Sequence, residues 1–289
     1  LNPKEDGMKR KRASFKGAWY PASAGECENS IKSFLKEKGG PLKGRFPGGI
    51  VPHAGWIFSG SIACRVIASL EQGVDAVILF GVHMRPDAKP FILAGGAWET
   101  PFGDLPVHEE LAGHISRQEK IQSVSPGSFP DENTIELQLP FVKYFFNDTP
   151  IVTVGVPPSD AAERIGKAAC DAAQALGLTI AVIGSTDMTH YGAAFGFSPA
   201  GTGEKAYRWV KEENDRAGIE AIMAMDPGRI VKEGLASQNM CCAGAAAAAT
   251  AAAKKIGAGR AVETDYSSSF EKSPGDSFVG YSGVLFSLD

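Results

Sequence analysis

Short runs of apolar and β-branched residues alternate along the chain with stretches whose apolar positions recur every three or four residues. The compact runs predict strands at 49–52, 75–82, 151–156 and 179–183, and the helical period predicts helices at 26–35, 59–71 and 160–176. Extended pieces at 91–93 and 97–100, set among Gly and Pro, read as an antiparallel excursion at a sheet edge. Residues 133–146 carry helical spacing, with Pro140 marking a kink or an early turn. A long amphipathic helix is expected over 204–225, and another starts at Pro227, where proline suits a first turn. The alanine-rich run 243–253, closed by Lys254 and Lys255, predicts a tightly packed helix opened by a cysteine pair; two strands, 260–266 and 278–288, complete the chain. This alternation predicts an α/β fold: a layered α/β/α sandwich with a mostly parallel central sheet and antiparallel edge pieces. No linker or internal repeat divides it, so one domain is expected over 16–289, after a flexible N-terminal extension at 1–15.

Composition narrows the function classes. The 289 residues hold 29 Lys+Arg against 33 Asp+Glu, a net charge of −4, which argues against a nucleic-acid binder dependent on a basic face. At 44% hydrophobic the chain has ample material for a core, yet its apolar runs are far shorter than the ~20 residues of a membrane helix. The basic stretch 8–12 has no apolar segment after it, so no secretory signal is read there. Cys27, Cys64, Cys170, Cys241 and Cys242 are an odd set without small-domain spacing, and reduced thiols in a cytoplasmic protein are expected.

Three predicted strands end in a Gly or Pro followed by a residue capable of chemistry: His53, His83, and the Ser185–Thr186–Asp187 run. In open α/β sheets ligands bind outside the carboxyl ends of strands, so these side chains should meet at one edge. A single histidine would more often be satisfied by a backbone carbonyl, but two at one edge favour a functional reading. Asp187 and His190 lie three apart, so carboxylate and imidazole could share a face; a helix cap and a packed ring explain them equally well. Ser185 lacks the Gly-x-Ser-x-Gly elbow, which ranks a serine hydrolase built on Ser185, His190 and Asp187 last. Cys241 opens a helix, where thiolates are favoured, while Cys242 suits packing and a disulfide between the adjacent pair is disfavoured. Glu132 and Asn133 line the crevice only if their helix starts at the same edge, which sequence leaves open.

Five segments in order, GAWYP (17–21), PHAGWIFSG (52–60), ETPFGD (99–104), ENTIELQLP (132–140) and STDMTHYG (185–192), resemble the MEMO family, called AmmeMemoRadiSam system protein B in prokaryotes. That resemblance implies a fold similar to class III extradiol dioxygenases. It also implies a metal site at His53, His83 and Cys241, with Asp187 and His190 in the same pocket and Asn133, Cys242 and Trp19 as pocket-lining candidates. Iron as Fe2+ is the expected cofactor, with copper or zinc also compatible with imidazole and thiolate donors. Departures are Asn133 and Gln138 where the family has histidines, and Cys241–Cys242 in place of a Cys-Gly turn. The expectation is a metal-binding protein with a redox or oxygen-dependent role on an unidentified substrate, functionally linked to a radical SAM protein. The competing expectation is a non-catalytic protein that binds a peptide or partner in the same crevice.

Overall fold

In this computed structural model, which describes residues 9–289, four parallel strands form the centre of the sheet. They are β2 (Gly48–Val51), β9 (Ile180–Ser185), β3 (Ala76–Gly81) and β8 (Ile151–Gly155), side by side in that order. Every residue of the four is buried, as continuous apolar runs require when both faces of a sheet are covered. Beyond β8 the sheet continues through β4 (Phe91–Leu93), antiparallel to it, and β7 (Gln122–Val124). Beyond β2 lies the long antiparallel β12 (Phe278–Ser287), which also pairs with β11 (Arg260–Ser268) and the short β10 (His190–Tyr191). A separate small sheet joins β1 (Arg10–Lys11), β5 (Ala97–Trp98) and β6 (Leu105–Pro106). The fold is therefore mixed α/β with a parallel centre and antiparallel margins.

Helices cover both faces. The first half of the chain supplies α1 (Ala24–Lys38), α2 (Trp56–Ser69), α3 (Glu109–Glu119), α4 (Asn133–Glu136) and α5 (Leu139–Phe146). The second half supplies α6 (Ala161–Ala175), α7 (Gly203–Trp209), α8 (Asp215–Met223), α9 (Pro227–Ser237), α10 (Ala243–Ile256) and α11 (Ser269–Lys272). A Cβ on Gly49 of β2 would point at Val66 of α2, whereas one on Gly184 of β9, which pairs with Ile50, would point at Ala245 and Ala249 of α10. Successive strand residues face opposite ways, so α2 and α10 lie on opposite faces.

The alanine run follows from how closely α10 is held. A Cβ on Gly166 of α6 would come within 2.1 Å of the Ala248 carbonyl, and one on Gly244 within 2.5 Å of the Val156 and Pro157 backbone. Larger side chains would push α10 off the sheet, and every residue from Ala243 to Ala253 is buried.

Two expected helices are interrupted. Residues 133–146 form α4 and α5, with Pro140 in the first turn of the second. The stretch 204–225 forms α7 and α8 joined by a π-helical segment, Val210–Asn214. Of the stretch assigned to an N-terminal extension, residues 1–8 lie outside the described residues, while 9–15 run along the body. There Arg10 and Lys11 pair with Ala97 and Trp98, and the Ser14 and Phe15 amides donate to the buried Glu136 carboxylate at 2.8 and 2.7 Å. Among the described residues no helix is long and apolar enough to cross a membrane.

Candidate metal centre

The carboxyl ends of β2, β3 and β9 and the start of α10 deliver four ligating groups to one place. His53 follows β2 and is 1% exposed. His83 follows β3 by way of Val82, whose φ of +75° is rare for a β-branched residue. The surroundings hold that conformation: the Val82 amide donates to the Thr134 hydroxyl at 2.7 Å, and the side chain is buried. The turn brings the His83 ring edge-on to His53, with centroids 5.1 Å apart. Cys241 and Cys242 stand at the N-terminus of α10, Cys242 as its cap residue. One ligand atom from each of His53, His83, Cys241 and Cys242 lies within 4.8 Å of the other three.

Each imidazole is oriented through its Nδ1. That of His53 meets the Ser185 hydroxyl at 3.0 Å, leaving Nε2 to face the Cys241 sulfur at 3.3 Å. The Nδ1 of His83 meets Glu132 at 2.9 Å, and the other oxygen of that carboxylate accepts the His83 amide at 3.3 Å. A partner on one ring nitrogen fixes the tautomer and frees the other nitrogen for a metal. The backbone beside His53 is clamped as well: Asn133 Nδ2 donates to the His53 carbonyl at 3.1 Å and Gln138 Nε2 to the Pro52 carbonyl at 2.9 Å. The His53 amide donates to Asp187 Oδ1 at 2.7 Å. Cys241 is fixed by its own amide to the Asp187 carbonyl, 3.2 Å, and by the Asp187 amide to its sulfur, 3.3 Å.

Charge is concentrated on Cys241. Burial pushes its thiol up, but the Cys242 hydrogen bond and the His53 imidazole outweigh this and hold it well below the ordinary thiol range. Cys242 is pushed well above that range, by burial first and then by its neighbour Cys241. Burial lowers His83, yet its bonds to Cys241 and Glu132 prevail and raise it. Burial raises Asp187 against the opposing pull of His53. The arrangement sets a thiol held below its ordinary range beside two oriented imidazoles, which is a donor set suited to a transition-metal ion.

The structure thus brings together His53, His83, Cys241, Cys242, Asp187 and Asn133. His190 lies in β10, where its Nδ1 meets the Met188 carbonyl at 3.3 Å and its ring abuts Phe195. Trp19 is 42% exposed, packs against Phe15, and offers its carbonyl to the Trp56 amide at the start of α2. Ser185 is fully buried and pairs with His53 rather than His190, an arrangement that orients an imidazole and gives the hydroxyl no surface. Glu132 emerges as a site residue that sequence left undecided. The signal was its place immediately before a helix, and as the cap of α4 it also accepts the Thr134 amide. A cavity of about 580 Å³ opens elsewhere, lined by Val74, Cys170, Thr179 and Ile180 near the amino ends of the strands, away from this chemistry.

A profile of Memo-like proteins matches residues 11–285. The chain belongs to that family. A MEMO1 family protein of Pyrococcus furiosus is 33% identical over 288 residues, covering 95% of this chain and 98% of that protein. A MEMO1 family protein of Thermococcus onnurineus is 33% identical over 285 residues, with 93% and 97% covered, and one of Methanosarcina acetivorans is 31% identical over 287 residues, with 96% and 99% covered. The Memo-like match spans every strand that contributes to the histidine and cysteine cluster.

Proposed function

We propose that this Memo-like protein binds one transition-metal ion, iron(II), through His53, His83 and Cys241, in a redox or oxygen-dependent role on an unidentified substrate. The observation that carries the reading is the convergence of two imidazoles, each oriented by its own partner, with a thiol held below its ordinary range. Two imidazoles and a thiolate fit iron, copper or zinc by ligand type, and the resemblance to extradiol dioxygenases favours iron. Bound there, iron(II) would supply one-electron redox chemistry with coordination positions left open to a small ligand. The chain's own groups set the conditions. Ser185 and Glu132 hold Nδ1 protons in place, Asn133 and Gln138 fix the backbone that carries His53, and Asp187 locks the His53 amide beside the cluster. The five free thiols suit a cytoplasmic setting, and a functional link to a radical SAM protein belongs to the same reading.

Anaerobic reconstitution with iron(II), followed by desalting and iron assay, tests it. Wild-type protein retains close to one iron per chain, and His83→Ala retains almost none while keeping its circular dichroism. Full occupancy in His83→Ala would show that the ligand assignment is wrong.

A second reading has its own support. Ile57 is 74% exposed and Trp19 42%, and the Trp19 carbonyl is joined to the Trp56 amide at 2.8 Å, so apolar surface lies beside the loop that bears His53. A peptide or partner protein docked there would be retained by metal-free protein and by His53→Ala.

A further inference from the structure

We infer that Cys242 is a second thiolate donor, so that the ion is held by four protein ligands, His53, His83, Cys241 and Cys242, in a set that favours tetrahedral, thiophilic ions such as zinc(II) and copper(I). The inference rests on the pocket being a metal centre; it keeps the three ligands of that reading, adds a fourth, and favours zinc(II) or copper(I) over iron(II).

The spacing carries it. Two thiolates bound at about 2.3 Å to one tetrahedral ion stand about 3.8 Å apart, and a thiolate and an imidazole nitrogen about 3.6 Å apart. The two sulfurs here are 3.8 Å apart, and the Cys241 sulfur is 3.3 Å from His53 Nε2. All four ligand atoms fit within 4.8 Å of one another. Adjacent residues rarely aim both side chains at one point. Cys242 does so because its backbone leaves the helix at φ −129°, ψ 52°, with its amide pinned to the Thr186 hydroxyl at 3.0 Å. Gly244, two residues on, lies against the Val156 and Pro157 backbone and fixes where α10 begins. Packing alone would accept any small residue at 242; a sulfur 3.8 Å from the Cys241 sulfur and within 4.8 Å of a nitrogen of both imidazoles is a more specific arrangement.

Coordination by both sulfurs releases any thiol proton still held by Cys241 or Cys242 to solvent and leaves both as thiolates on the ion. Zinc(II) and copper(I) would then be saturated by protein donors, whereas iron(II), with its larger coordination number, would keep open positions.

Zinc K-edge X-ray absorption on the full chain loaded anaerobically with zinc(II) counts the sulfurs directly. Two sulfurs and two nitrogens are expected for wild type, and one sulfur for Cys242→Ser. Zinc affinity in that variant should fall by more than the roughly 10–100-fold that loss of an orienting neighbour costs. A single sulfur in wild type overturns the inference while leaving the three-ligand site standing. No zinc uptake by wild type also overturns the inference, while the iron assay decides the three-ligand site separately. Should Cys242→Ser fail to fold, Cys242→Gly replaces it, and the wild-type sulfur count decides without any variant.

Discussion

Ser185→Ala isolates what a buried hydrogen bond does for a neighbouring metal ligand. In the wild type the His53 Nδ1 lies 3.0 Å from the Ser185 hydroxyl, inside a site where the imidazole is 1% exposed. Without metal, the variant's ring, once it holds a single proton, can keep it on Nε2 and donate to the Cys241 sulfur at 3.3 Å, so the apo protein then escapes much of the penalty. With metal on Nε2 the proton must stay on Nδ1, buried and without its Ser185 partner. An unsatisfied buried donor costs about 1–3 kcal/mol. The cost falls mainly on the bound state, so affinity should drop about 5- to 150-fold. Competition titration of zinc(II) or cobalt(II) against a chromophoric chelator, at fixed pH and salt, measures this directly. Melting temperature and circular dichroism should change little. Affinity within twofold of wild type, in a variant of normal fold, would refute the claim that Ser185 orients His53 for a metal.

Other expectations concern the scaffold. Gly244→Ala places a Cβ 2.5 Å from the Val156 and Pro157 backbone, which cannot yield as a side chain tip would. Overpacking of this kind costs about 1–3 kcal/mol; denaturant unfolding should show that loss, with weaker metal binding because Cys241 and Cys242 sit at the displaced helix start. Asp215 is fully buried, accepts hydrogen bonds from Thr189 and Tyr266, and is pushed up to about 7 by burial against the opposing hydrogen bonds. Because its folded value lies above the unfolded one near 3.9, the stability it contributes is fully present below about pH 4 and is lost as pH rises through 7. The difference is on the order of 4 kcal/mol. Thermal melts of wild type and Asp215→Asn from pH 4 to 8 should diverge in that direction, the variant gaining relative stability as pH rises. Equal pH slopes would show that Asp215 is not held protonated by its surroundings.

The strand-ending pattern made the site legible because it combines two local signals, a buried apolar run and an abrupt Gly or Pro before a polar residue. His53, His83 and Asp187 were found that way, and the structure brings them together. The central strands were equally plain, since burial on both faces leaves an unbroken apolar run. Glu132 was hidden because its role depends on which sheet edge α4 starts from, a tertiary fact that local spacing does not carry. Cys242 read as packing because the alanine-rich helix demands small neighbours; the backbone angles at the helix cap and the Thr186 anchor turn its sulfur toward Cys241. The docking of Ser14 and Phe15 on Glu136 likewise depends on contacts distant in sequence. His190 shares the strand-end segment with Asp187 and, against the burial that raises that carboxyl, is one of the groups that draw its pKa down, while β10 pairing with β12 sets its ring against Phe195.

The metal centre itself is tested most directly by the metal content of untagged protein purified anaerobically without chelator, measured by inductively coupled plasma mass spectrometry against protein concentration. Close to one transition-metal ion per chain is expected, either as purified or after anaerobic reconstitution with iron, copper or zinc. No stoichiometric metal under any of these conditions would contradict it.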